Sequence, residues 1–121
     1  MKECEDFVGL LIAASVGVKT AYQEVLDEWQ PEKPPVTILF GALGYRIAED
    51  FGTAGVDANS RIFSLVEEAM ESGDQVLVTA VATGLIEALV TRAVRSEGLW
   101  DQMAPLLGSR SRHHADAWLA T

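Results

Sequence analysis

Cysteine is nearly absent from the chain. Cys4 is the only one in 121 residues, which rules out an internal disulfide and a zinc site built from cysteines, and fits a reducing compartment. Proline is also scarce, and three of the four prolines fall together at Pro31, Pro34 and Pro35. They mark one break, because proline cannot continue a helix. Histidine occurs only as the adjacent pair His113 and His114. Neighbours on a helix point about 100° apart, so the pair does not chelate one ion as an i, i+4 pair would. Two solvated histidines are expected. Phosphate-binding glycine loops are missing too: Gly41-Ala42-Leu43-Gly44 lacks the third glycine and the preceding strand of a dinucleotide site. No cofactor and no metal are expected.

Positive charge is in short supply. Nine Lys or Arg face 18 Asp or Glu, a net charge of −9, and the imbalance is local. Residues 1–74 hold 14 acids against 5 bases, while residues 75–121 hold four of each. Such a field repels nucleic acid and anionic membrane and draws basic proteins in. The N-terminal run Phe7-Val8-Gly9-Leu10-Leu11-Ile12 resembles the core of a signal peptide. However, Glu3, Glu5 and Asp6 occupy the segment that should be positive. The charge-free run from Phe7 to Val18 is shorter than the roughly 20 residues of a membrane-spanning helix. A cytoplasmic location is expected.

At this length one domain, 1–121, with its own core is expected. The hydrophobic content of 49% is that of an ordinary globular chain. Apolar residues at steps of three and four predict helices. Phe7, Leu10, Leu11 and Ala14, then Val18, Ala21, Val25 and Trp29, predict two helices at about 3–14 and 17–29, interrupted at Ser15-Val16-Gly17. A third helix is expected from Pro35, with Val36, Leu39, Phe40, Leu43, Ile47 and Phe51 buried, ending at Gly52–Gly55. Asp57 is the expected cap of a fourth. In it Ala58, Ile62, Leu65, Val66 and Ala69 face inward, and Arg61, Glu67, Glu68 and Glu71 face out. Asp74 is the expected cap of a segment that is apolar nearly all round, from Gln75 to Val94. A helix without a polar face belongs at the centre of a fold. Clustered β-branched residues make Val76–Val81 and Val36–Phe40 alternative strands. Ser96 is expected to cap a short helix ending at Gly108, and the tail is expected to add a turn or two. The resulting expectation is an all-α, compact antiparallel bundle of about six helices with 76–94 at its centre.

No nucleophile, base or metal set emerges, so an enzyme is not expected. Glu87, inside the most apolar segment, needs a partner or an exit to water; Arg46 and Arg61 are the candidate partners. Trp29, Trp100 and Trp118 lie at helix ends, where tryptophan seals a core edge or anchors an interface.

Several stretches carry a resemblance. They are Tyr22-Gln23-Glu24-Val25-Leu26-Asp27-Glu28-Trp29, Leu39-Phe40-Gly41-Ala42-Leu43-Gly44-Tyr45-Arg46, Ile62-Phe63-Ser64-Leu65-Val66-Glu67, and Gly84-Leu85-Ile86-Glu87-Ala88-Leu89. The closing stretch is Leu106-Leu107-Gly108-Ser109-Arg110-Ser111-Arg112. Together they resemble a family of short, acidic, all-helical bacterial proteins of unassigned function, similar to the immunity proteins encoded beside secreted polymorphic toxins. Ser109 stands where the family pattern has proline. The resemblance implies a non-catalytic protein that neutralises a cognate toxin, and it carries over no catalytic residue. Together with the charge it directs attention to Glu49, Asp50, Glu67, Glu68 and Glu71 as a partner-binding surface for a basic toxin. The alternative is a small helical dimerisation or scaffolding module, for which a homodimer is expected.

Overall fold

The computed structural model describes residues 2–121. Among these there are seven helices and no strand, so the chain is an all-α bundle. The first two are α1 (Lys2–Ala14) and α2 (Val16–Trp29), separated by a single extended residue, Ser15. The Ser15 hydroxyl accepts the Val18 N–H at 3.1 Å and so caps α2. The break is thus narrower than expected, and Gly17 lies inside α2. A side chain at Gly17 would collide with the Asp50 carboxylate. That glycine serves packing between helices rather than an interruption.

After the proline linker comes α3 (Val36–Ala54), with Phe40, Leu43 and Ile47 buried and Val36 left exposed. Gly55, at φ 92°, turns the chain directly into α4 (Val56–Met70). That left-handed conformation suits glycine, so Gly55 takes the cap position expected of Asp57, which sits in the first turn. Ile62, Phe63, Leu65, Val66 and Ala69 are buried on α4.

The Asp74 carboxylate accepts the Leu77 N–H at 2.9 Å and starts α5 (Gln75–Ala93). Val76–Val81 is therefore helical, as is Val36–Phe40. This helix is long and apolar enough to cross a membrane, but here it is the core helix: Val81, Leu85, Ile86, Val90 and Ala93 are wholly buried. Its middle, Ala80–Ile86, is wound as a π-helix, a wider turn that is rare and usually confined to one place in a helix. The π segment is where α3, α4 and α7 (Ser109–Leu119) all reach the core helix. Gly44 and Gly84 make the α3 approach possible. A side-chain carbon at Gly44 would strike the Leu85 backbone carbonyl, and one at Gly84 would lie 2.8 Å from Phe40 Cβ. On α2 and α3 the order runs oppositely, with Gly17 near Asp50 and Glu24 near Arg46. On α3 and α5 it runs the same way, with Phe40 near Gly84 and Tyr45 under Arg92.

The short α6 (Leu99–Met103) continues as one 3-10 turn, Ala104–Leu106. Gly98, left-handed at φ 79°, caps it in place of Ser96. The Ser96 hydroxyl instead accepts from Arg92 at 2.8 Å. The tail is a full helix, α7, rather than a turn or two. It buries only Ser111 and Ala115, while Trp118 and Leu119 remain exposed. A helix that polar needs something other than core burial to hold it in place.

Candidate protein-binding surface

What holds α7 is a carboxylate expected to be in solvent. The first N–H groups of a helix lack partners, and an N-cap side chain ordinarily satisfies those at the second and third positions. The N-cap of α7 is Gly108, which has no side chain. Glu67 reaches across from α4 and does the work. Its carboxylate accepts the Arg110 N–H and the Ser111 N–H, each at 3.0 Å, and the Ser111 hydroxyl at 2.8 Å. The bonds close a loop of more than forty residues. Gly108 is a condition of this geometry, because a side-chain carbon there would collide with the Glu67 side chain. A negative charge also suits the positive end of the helix dipole.

Burial alone would raise the Glu67 pKa. The two backbone N–H bonds, the Ser111 hydroxyl and the nearby Arg110 charge outweigh it and hold the carboxyl below its ordinary range. The acid is therefore a structural anion.

Glu68 and Glu71, its neighbours on α4, are exposed. With Glu67, Phe63, Ser64 and Leu106 they border a shallow groove of about 320 Å³ between α4 and the loop before α7. Asp50 is engaged elsewhere. It accepts from Arg46 Nε at 2.9 Å one turn away on α3, over Gly17, and the same guanidinium lies 3.6 Å from Glu24. Glu49 is exposed on α3. Neither Glu49 nor Asp50 borders the α4 groove. Of the five acids singled out, Glu49, Glu68 and Glu71 are free to meet a partner, whereas Asp50 and Glu67 are bonded within the fold.

Glu87 pairs with neither Arg46 nor Arg61. Its carboxylate lies 2.9 Å from His114 Nε2 on α7, so His114 is half-buried and only His113 is exposed. Alongside, the Trp118 indole N–H donates to Thr91 at 3.2 Å. The Arg112 guanidinium lies over the half-buried Trp100 ring, 5.9 Å from its centre. These contacts set α7 beside the core helix. A signal for the Glu67 bond does exist in the sequence: Gly108-Ser109-Arg110-Ser111 opens a helix with no acid in its first turn. Ser109 is the first helical residue, a position that also tolerates proline.

Comparison of the chain with protein-family models, curated proteins and solved structures found no match.

Proposed function

We propose that this chain is a non-catalytic, immunity-type protein that neutralises a basic cognate toxin in the cytoplasm by binding and occluding it. The observation that carries the reading is the unbalanced negative charge of residues 1–74 and its exposure. Among the described residues, ion pairs with Lys or Arg engage only Glu24, Asp50 and Asp116, and Glu87 is hydrogen-bonded to His114. The other carboxylates, Glu49, Glu68 and Glu71 among them, form no ion pair. Uncompensated charge of one sign accelerates encounter with an oppositely charged protein. The test is to express the chain with the product of the adjacent gene, score protection of the cells, and measure association across a salt series. Protection, with association that slows as salt rises, is expected. Failure to protect against any neighbouring toxin removes the reading.

The dimerising-scaffold alternative draws on Trp118 and Leu119, 40% and 43% exposed at the end of α7. It places both in a symmetric interface, and a monomer at high concentration in sedimentation rules it out.

A further inference from the structure

A second groove lies where α1, α2 and the start of α3 meet, and it encloses about 520 Å³. Its floor is the buried trio Cys4, Val8 and Phe40, with Phe7 packed against Phe40 at 5.7 Å between ring centres. Half-buried Ile12, Tyr22, Leu26 and Leu39 form the walls, and Pro34 of the linker closes one side. The lining is apolar apart from the Tyr22 hydroxyl and the rim residues Glu5 and Lys33. A concave apolar surface of this kind takes a bulky side chain or two.

Two features identify the occupant. The first is charge. Glu3, Glu5 and Asp6 stand exposed on α1, and Asp27, Glu28 and Glu32 stand exposed at the end of α2 and in the linker. None of the six takes part in an ion pair among the described residues. Lys33 sits at the linker end, so a partner's cations belong on the α1 side. The second is Gly9 on the rim. Glycine weakens a helix, and its usual justification is a tight space or a left-handed turn. Gly9 has neither: it lies inside α1, and a side-chain carbon built on it meets nothing within 4 Å. A bare stretch of helix backbone facing open space is what lets a second helix pack closely across α1.

We propose that the α1–α2–α3 groove receives the apolar face of an amphipathic, basic helix of the partner protein. The helix-in-groove mode supplies apolar anchors at i, i+3, i+4 and i+7. Glu5, on the α1 rim, takes the nearest flanking cation, and the other unpaired acids of α1 and of the α2 end add longer-range attraction. The assignment rests on the protein-binding reading above and names the surface that anchors the partner, while Glu49, Glu68 and Glu71 contribute to steering it.

The probe is a synthetic helical peptide with leucines at those four spacings and lysines elsewhere. The control carries glutamates in place of the lysines. Each is titrated into the isotope-labelled full chain and followed by amide chemical shifts. The Leu/Lys peptide is expected to move the signals of Val8, Gly9, Ile12, Leu26 and Leu39, and the Leu/Glu peptide to leave them in place. Gly9→Trp, which puts an indole over the groove, is expected to weaken binding about tenfold or more without lowering Tm, as blocking an anchor pocket does. Gly9→Ala adds only a methyl and is expected to bind within about threefold of the original chain. Shifts confined to Glu68 and Glu71, or undiminished binding by Gly9→Trp, overturn the groove. In cells, loss of protection by Gly9→Trp alone places the toxin in the groove. Equal protection by the variant and the original chain overturns the groove and leaves the immunity reading standing. No protection by the original chain overturns the immunity reading, and the peptide shifts still decide the groove.

Discussion

The acidic stretch up to Asp74 and the neutral stretch from Gln75 onward use their carboxylates differently. In the neutral stretch Glu87 meets His114 and Asp116 meets Arg112. These two of the four acids there tie α7 to the core helix or to itself, while Glu97 and Asp101 are exposed. In the acidic stretch most carboxylates are exposed and make no side-chain bond among the described residues, and several of the exceptions build something. Asp74 and Glu67 each cap a helix, and Asp50 joins Arg46 over Gly17 at the α2–α3 contact. Glu67 belongs to the first stretch in sequence and to the second in function. Its neighbour Glu68, one residue on and about 100° round the helix, is exposed. The contrast teaches that a surplus of one charge is not one surface. Part of it is internal structure, and only the remainder is available for recognition.

The largest expected effect tests whether Glu67 is structural. Glu67→Ala leaves the N–H and hydroxyl of the fully buried Ser111 without a partner. Losing hydrogen bonds to a charged acceptor and orphaning buried donors is expected to cost about 2–4 kcal/mol, or roughly 10 °C in Tm. Thermal unfolding followed by circular dichroism measures it. A loss as small as that of an exposed glutamate would return Glu67 to the solvated surface.

Gly108→Ala comes next. Its φ of −69° imposes no backbone strain, so any loss arises from pushing the Glu67 side chain out of its seat. A cost of about 1–3 kcal/mol is expected. In the Glu67→Ala background the same change should cost almost nothing, because the group it displaces is gone. Denaturant unfolding of the four chains closes this cycle, and additive losses would show that the two residues act independently.

The acid response sharpens the same distinction. A carboxyl whose pKa is lowered on folding contributes stability that is fully present above its unfolded value, near the ordinary 4.5, and is lost as pH falls through the lowered folded value. The stability gap between the original chain and Glu67→Gln is therefore expected to hold at neutral pH and to narrow only in acid, below the ordinary carboxylate range. Unfolding curves of both chains over a pH series test it. A gap that widens on acidification contradicts the assignment.

The smallest effect on stability belongs to Glu68→Lys combined with Glu71→Lys. Both residues are exposed and unpaired, so stability is expected to stay within about 0.5 kcal/mol per site. The change should appear instead in association with a basic partner, as a slower on-rate and a shallower salt dependence. Stopped-flow measurements across a salt series show it. Unchanged rates would exclude this face from steering and leave Glu49 and the α1 acids.

The helices themselves were legible in the sequence because they rest on local rules. Apolar steps of three and four, the hydroxyl of Ser15, the carboxylate of Asp74 and the glycine at position 55 act within a few residues of where they stand. The all-apolar run after Asp74 likewise announced a central helix, since no other position buries every face. The destinations of particular polar groups were not legible. Periodicity placed Glu67, Glu68 and Glu71 on one outer face, yet one flank of that face abuts α7, whose first turn arrives from more than forty residues away. Glu87 finding His114, and Gly17 making room for Asp50, are of the same kind. Local pattern sets which residues point away from a helix's own buried stripe. Whether they then meet water or another element depends on how the helices pack, and packing is decided by contacts that the spacing along one helix does not encode.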